Sequence, residues 1–385
     1  MAQKTILQLL HSLDTGGAEV LADRLGQRLS NSYRVLFACL DQVGEIGERL
    51  IARGYQVEQL HRRPGIDWNC VRRLSQFVRR EQIDLIHAHQ YTPFFYAMAA
   101  RIGMPGVPIV FTEHGRFFPD YRRRRRVWFN RALLRRQDRL IAVGHDVKRA
   151  LVDNDGLPTE RVEVIHNGIP VEAFNPEHFS GAKDRLRAEL GLSSDAVVAV
   201  QVARLDALKD HLTAVRSIAL ASTSSNVHLL VVGEGAERGR IETEIAACGV
   251  SERVHLLGLR RDIPQLLAAS DILLLSSISE GIPLTVLEGM AAELPIVATD
   301  VGGLKEIVAD RVHGFLCPAR DPTALAERLV QLGQQAALRH QMGRAGRQWA
   351  AAHFSEESMH RSYEQAIASV VDRRAAVQRE ARGAA

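Results

Sequence analysis

This chain is poor in cysteine, lysine and aromatic residues: four cysteines, five lysines and 5% Phe, Trp and Tyr among 385 residues. Cys39, Cys70, Cys248 and Cys317 stand far apart and form no CxxC pair, which points to neither a zinc knuckle nor a disulfide framework; reduced structural thiols are expected. No stretch approaches the roughly 18 to 20 consecutive apolar residues that a membrane-spanning helix needs. Asp14 and Glu19 fall where a signal peptide would place its apolar run and cleavage site, so the expectation is a cytoplasmic protein, peripheral to a membrane at most. HExxH, GxSxG and GxxxxGK followed by Ser or Thr are also missing, which argues against zinc proteases, serine hydrolases and P-loop enzymes.

What is present is enough to build cores. With 46% hydrophobic and 24% charged side chains, and at about 150 residues per domain, two or three domains are expected. The formal net charge of +4 is a local matter. Residues 116–139 hold ten arginines against Asp120 and Asp138, a net +8, so the rest of the chain sums to −4. A general polyanion binder would spread its basic residues more widely, so nucleic acid is not an expected partner.

Apolar runs bounded by turn residues alternate with longer amphipathic stretches from end to end, the pattern of an α/β fold with parallel sheets. Strands are expected at Thr5–Leu10, 34–40, 56–60, 84–88, 109–112, Arg139–Ala142 and 162–165. A second set follows at 197–200, Val227–Val232, 253–256, Ile272–Leu275 and 296–298. The stretch 171–181, with Asn175, Pro176 and Gly181 and no sustained period, reads as a linker between two doubly wound domains. The bounds adopted are 1–175, 176–355 and a final helix and tail, 356–385. From Asp321 onward the pattern is almost wholly helical, and the last helix has no strand partner.

Four loops carry the candidate chemistry. Asp14-Thr15-Gly16-Gly17-Ala18-Glu19 follows the first strand and opens a helix, so Gly16 and Gly17 let the backbone approach a phosphate or carboxylate; a tight turn without ligand has the same spelling. It is not GxGxxG, and a nicotinamide dinucleotide is poorly supported. In Glu280-Gly281-Ile282-Pro283-Leu284-Thr285-Val286-Leu287-Glu288, Pro283 suits the first turn of a helix, with Glu280 in the loop before it and Glu288 inside it. Backbone N–H groups of Leu284 and Thr285 at that terminus suit a diphosphate, and the flanking carboxylates suit the hydroxyls of a nucleotide sugar. The plain alternative is a surface Glu280 and a solvated Glu288, but the apolar context of Glu288 makes an unpaired charge costly.

Arg204 and Lys209 lie between a strand and a helix, where two cations can neutralise a departing diphosphate; surface ion pairing is the simpler reading. His114, in Glu113-His114-Gly115, stands at the carboxyl end of a strand, placed to meet a ligand. His87 and His89 are expected to pack or hydrogen-bond near a strand end, and Asp153-Asn154-Asp155 to terminate a helix rather than bind metal.

Gly16-Gly17-Ala18-Glu19, the 84–89 strand end, Glu113-His114-Gly115, His166-Asn167-Gly168, Arg204 with Lys209, Gly233-Glu234-Gly235 and the E-x7-E pair Glu280 and Glu288 occur in an order that resembles the retaining glycosyltransferases of family 4. The resemblance covers roughly residues 5–370. It implies the GT-B architecture, two Rossmann-like domains with the active site in the cleft between them and C-terminal helices packing back across them. It further implies transfer of a sugar from a UDP- or GDP-linked donor, with retention and without a required metal or other cofactor. Arg204 and Lys209 would contact the diphosphate, Glu280 the donor sugar, Glu288 the ribose, and Gly233 with Glu234 the region of the base, while His114 sits beside the reacting sugar. Gly281 and Ile282 complete the donor loop, and Pro283 stands where many members have glycine. The acceptor implied is a glycan or a lipid-linked sugar of envelope polysaccharide, lipopolysaccharide or glycolipid synthesis.

The arginine-rich segment interleaves Arg122, Arg123, Arg124, Arg125 and Arg126 with Phe117, Phe118, Tyr121, Trp128 and Phe129. Trp128, Phe129, Ala132 and Leu133 fall near helical spacing, so one side is expected to face the core or a bilayer, with arginines toward anionic lipid or a phosphate-bearing acceptor. A solvated basic face is the plain alternative. At the level of function the alternatives are a nucleotide-sugar epimerase of the same architecture and a non-catalytic, basic, membrane- or nucleic-acid-binding protein.

Overall fold

A computed structural model describes residues 3–14, 16–104, 106–115 and 120–383, with side chains through residue 372. The chain divides into two compact units, Met1–Asn167 with Met359–Ala385, and Gly168–Ser358.

The first unit holds seven strands: β1 (Thr5–Leu10), β2 (Arg34–Cys39), β3 (Val57–Gln59), β4 (Leu85–His89), β5 (Ile109–Glu113), β6 (Arg139–Ala142) and β7 (Val162–Val164). They form one parallel sheet in the order β3-β2-β1-β4-β5-β6-β7. All six residues of β1 are buried, as expected of a strand covered by helices on both faces. The helix Trp68–Arg80 shows how local chemistry sets an element. Asp67 accepts from the Asn69 and Cys70 amides at its start, and Cys70, Leu74, Phe77 and Val78 form its buried stripe.

The last helix, Glu356–Gly383, returns to this unit. Its Met359, Tyr363, Ala366, Ile367, Val370 and Val371 pack into one cluster with Ile6, Leu10, Phe37, Val110 and Ile141. Burying a side chain the size of Ile367 is worth about 1.5–3 kcal/mol, and cutting it to alanine would cost about 2–5 kcal/mol once the cavity is included.

The second unit holds β8 (Val197–Val202), β9 (Val227–Val232), β10 (Val254–Gly258), β11 (Ile272–Leu275), β12 (Ile296–Thr299) and β13 (Gly314–Cys317), parallel in the order β10-β9-β8-β11-β12-β13. Both sheets therefore have the doubly wound order, with the direction of winding reversing between β1 and β4 in one and between β8 and β11 in the other. Ligands of such sheets bind outside the carboxyl ends of the strands at that reversal.

Several expectations need correction. The stretch 171–181 is not irregular: Val171–Phe174 and Pro176–Phe179 are 3₁₀ turns of the second unit, and Phe174 is buried. Pro283 is the residue before the helix Leu284–Ala291, with extended ψ of 121°, rather than part of its first turn. The arginine-rich helix, Arg124–Leu133, turns inward on Val127 and Asn130, not on Trp128, Phe129, Ala132 and Leu133. Asn130 accepts from the Tyr91 hydroxyl at 3.0 Å and donates to the Asp155 carbonyl at 2.8 Å, a buried polar anchor that apolar spacing does not reveal. Asp153-Asn154-Asp155 closes the helix His145–Asp155 before Gly156, whose φ of 66° suits a left-handed cap.

Candidate functional site

In the second unit the reversal lies between β8 and β11, and the loops that follow those two strands carry Arg204, Lys209 and Glu280. Lys209 Nζ lies 2.7 Å from Glu280 Oε1, and the Glu280 side chain is only 7% exposed. Ser277 Oγ donates to the same carboxylate oxygen at 2.5 Å. Removing such a carboxylate from water is costly unless it is paired and hydrogen-bonded, and here it is both. Arg204 differs: its side chain is 74% exposed, with Asp206 at 3.6 Å. The site thus offers one cation held in a pair and a second that reaches into solvent.

Uncharged groups pin the two loops together. Ser276 Oγ lies 3.0 and 2.9 Å from the carbonyl oxygens of Lys209 and Asp210, which share its one proton, and Gln201 Nε2 reaches the Lys209 carbonyl at 3.2 Å. The Ile278 amide donates to the Leu208 carbonyl at 2.7 Å, and Thr299 Oγ1 donates to the Ser277 carbonyl at 2.6 Å. Asp210 has a φ of 44°, uncommon for a residue with a side chain, and its carboxylate accepts from the Thr213 hydroxyl at 2.7 Å to start the next helix.

Two glycine pairs set the loop paths. A Cβ on Gly233 would lie 2.0 Å from the Ala203 carbonyl oxygen, and one on Gly302 would lie 2.0 Å from that of Glu280. Gly233-Glu234-Gly235 therefore lies flush against the Arg204 loop, where the Leu205 amide donates to the Glu234 carbonyl at 2.9 Å. The Gly303 amide donates to the Gly281 carbonyl at 3.1 Å, which braces Gly281, Ile282 and Pro283 as they enter the helix. Leu284 and Thr285 form the start of that helix, and Glu288 is half-buried in its second turn. The Glu234 carboxylate is paired with Arg238 at 3.0 Å and remains half exposed.

In the first unit β1, β4 and the residue after β5 are linked by uncharged polar side chains, beside the buried Glu113 that ends β5. His114 follows β5, and its Nε2 lies 2.9 Å from His89 Nδ1 at the end of β4. His89 Nε2 in turn lies 2.7 Å from Gln8 Oε1 in β1, and His87 Nε2 lies 2.9 Å from Thr112 Oγ1. Burial pushes His114 and His87 down to about 3 and holds His89 well below the ordinary histidine range, because a charged ring would lose its hydration. Gly16 precedes the helix Gly17–Leu29 in extended backbone, and a Cβ there would meet only the flexible end of Glu19, so neither backbone angle nor packing within the unit demands glycine. Thr15 lies outside the described residues.

The arginine-rich segment splits in two. Arg126 stacks 4.0 Å over the Tyr91 ring and lies 3.4 Å from Asp155, and Arg123 stacks on Tyr121 at 5.1 Å. Arg122, Arg124 and Arg125 are exposed, as is Trp128 at 66%. Phe117 and Phe118 lie outside the described residues.

Sequence reasoning named the charged members of the second-unit site and missed Gln201, Ser276, Ser277, Thr299, Gly302 and Gly303. Only Gly302-Gly303 left a signal, a glycine pair just past a strand like that at Gly16-Gly17.

Residues 15–173 match the family described as Glycosyltransferase Family 4, and residues 182–349 match Glycosyl transferases group 1. The chain is 30% identical over 295 residues to the putative glycosyltransferase EpsD of Bacillus subtilis, covering 74% of this chain and 76% of that one. It is 28% identical over 269 residues to the UDP-Gal:alpha-D-GlcNAc-diphosphoundecaprenol alpha-1,3-galactosyltransferase of Escherichia coli, 67% of this chain and 68% of that one. Among solved structures it resembles Anabaena HepE in complex with UDP and glucose, with a TM-score of 0.83 and 23% identity over 96% of this chain and 100% of that one. Two doubly wound parallel sheets, charged loops at one reversal point and these likenesses lead to one conclusion: the chain belongs to the group 1 and family 4 glycosyltransferases of GT-B fold.

Proposed function

We propose that this glycosyltransferase moves a hexosyl group from a UDP-linked sugar to a glycan or lipid-linked acceptor of envelope polysaccharide or glycolipid synthesis, with retention at the anomeric carbon and without a required metal. The observation that carries the reading is the Lys209–Glu280 pair, held at 2.7 Å on the two loops of the reversal point. As the bond from the anomeric carbon to the diphosphate oxygen breaks, the electron pair leaves with the diphosphate. Lys209 and Arg204 neutralise it, and the start of the helix Leu284–Ala291 adds its partial positive charge. One held cation and one mobile in solvent do the work otherwise given to a divalent ion. Glu280 keeps Lys209 oriented and takes sugar hydroxyls, Glu288 takes the ribose, and His114 stands beside the reacting sugar. Attack by the acceptor hydroxyl on the face the diphosphate leaves forms the new glycosidic bond with retention, the hydroxyl proton passing to the departing diphosphate.

The UDP preference rests on the named donor of the E. coli relative and on the UDP bound to HepE. The lipid-linked acceptor rests on the same relative, together with exposed Arg122, Arg124, Arg125 and Trp128, which suit an anionic cytoplasmic membrane face. Turnover on a panel of nucleotide sugars with and without EDTA, with the product anomer read by NMR, tests the reaction. An inverted glycoside, loss of activity in EDTA, or a free epimerised sugar with no glycoside would each overturn the corresponding part. Flotation on vesicles containing anionic lipid tests the surface, and equal flotation after Arg122, Arg124 and Arg125 are changed to glutamine would end that part.

A further inference from the structure

Gln8, in the middle of β1, and His89, at the end of β4, are fully buried polar residues to which the proposed reaction gives no task. β1 pairs with β4 and β4 with β5, so Gln8 and His89 lie on adjacent strands and His114 directly follows the third. Their hydrogen bonds run in one line from Gln8 Oε1 to His89 Nε2 at 2.7 Å and from His89 Nδ1 to His114 Nε2 at 2.9 Å.

That line has a direction. An amide oxygen only accepts, so the proton of His89 is on Nε2. A neutral imidazole holds one ring proton, so His89 Nδ1 is bare and accepts from His114 Nε2–H. Burial disfavours the imidazolium at both rings, which leaves no second proton to blur the assignment. His114, having placed its proton on Nε2, is left with a bare Nδ1.

We propose that Gln8, acting through His89, is a positioning residue that fixes the tautomer of His114, so that His114 Nδ1 meets the transferred sugar as an acceptor for one of its hydroxyls. The opposite tautomer would present an N–H to that hydroxyl and demand an acceptor in place of a donor. This rests on the placement of His114 beside the reacting sugar. Gln8 Nε2 is buried and makes no hydrogen bond among the described residues, so the bond of its Oε1 to His89 is what ties the amide to the line. Gln8→Met keeps the length of the side chain, removes that unpartnered amide nitrogen and breaks the line. Gln8→Glu reverses the line. Full burial keeps that carboxyl neutral, and its hydroxyl donates to His89 Nε2. His89 Nδ1 then carries a hydrogen toward His114 Nε2, and the proton of His114 moves to Nδ1.

Nitrogen-15 NMR of the full-length chain, labelled at histidine, reads the tautomer directly. His114 is expected as Nε2–H in the native chain, as a mixture in Gln8→Met and as Nδ1–H in Gln8→Glu. The kcat should fall at least tenfold in Gln8→Glu and less in Gln8→Met, with the melting temperature of Gln8→Met unchanged. A native His114 protonated on Nδ1, or the same tautomer in all three chains, would overturn the relay; should a variant fail to fold, the native spectrum alone decides. Full turnover by His114→Ala would refute the placement of His114 instead. A His114→Ala variant slowed about tenfold, beside Gln8 variants of native kcat and tautomer, would refute only the relay.

Discussion

The two units share one winding order and differ in what they place at its reversal. Between β8 and β11 the second unit sets an ion pair, an exposed arginine and loops locked by serine, threonine and glycine. Between β1 and β4, and at β5 beside them, the first unit sets glutamine and histidines that burial keeps uncharged. The same topology therefore supports two chemistries. The charged edge is suited to a group that carries and gains negative charge, whereas the buried glutamine and histidines can only exchange hydrogen bonds. A difference of this kind is decided by a few side chains at strand ends and leaves the sheets unchanged.

The largest test of that contrast is Lys209→Ala, which should lower kcat by about a hundredfold to a thousandfold, the usual cost of losing one electrostatic contact to a developing anion. Turnover and melting temperature measured together would separate this from unfolding, and an intact rate would remove the charged edge from catalysis. Gly302→Ala attacks the same edge through its backbone. With φ at 55° and a Cβ 2.0 Å from the Glu280 carbonyl oxygen, the substitution should cost about 1–3 kcal/mol in denaturant unfolding and raise the donor KM as the Glu280 loop moves. His114→Ala should cost less than Lys209→Ala, about tenfold in kcat or one hydrogen bond of about 1.4 kcal/mol, and its effect should not vary with salt. Raising ionic strength should instead raise the donor KM of the native enzyme, since the charged edge is screened.

The last effect is on stability against pH and leaves turnover at neutral pH untouched. His87 and His114 are held at about 3 in the folded state, while in the unfolded chain they titrate near 6.5. The unfolded state therefore binds more protons below about pH 6.5, and stability is complete above that value and declines as pH falls toward 3. Denaturant midpoints measured from pH 7 to pH 5 should decrease, and less so in a His87→Gln variant. A flat profile would mean that the histidines of the first unit are not buried as neutral rings.

Much of this was legible in the sequence because apolar runs report strands directly. Thr5–Leu10, Arg139–Ala142, Val227–Val232 and Ile272–Leu275 are as expected residue for residue. The helix Tyr91–Ala100 went unannounced because eight of its ten residues are buried and it shows no amphipathic stripe. β13, only Gly-Phe-Leu-Cys, is too short to show a period. At the site, charge drew attention to Lys209 and Glu280, but Ser276 and Thr299 act by donating to carbonyls of distant loops, and serine and threonine are too common to mark such a role. The need for Gly302 arises from a carbonyl twenty-two residues earlier, a contact that exists only once both loops are in place.

The return of the last helix to the first unit also sets an order of assembly. Residues 168–358 are emitted between the two pieces of that unit, 191 residues in all, which is about 10 to 40 seconds of synthesis. At the end of that interval the second unit has every one of its residues, while the sheet of the first still waits with its cluster around Ile6 and Phe37 uncovered for Tyr363 and Ile367 to emerge. The unit made first is the last to be finished, and a nascent chain halted before Met359 would carry a finished charged edge beside an unfinished histidine one.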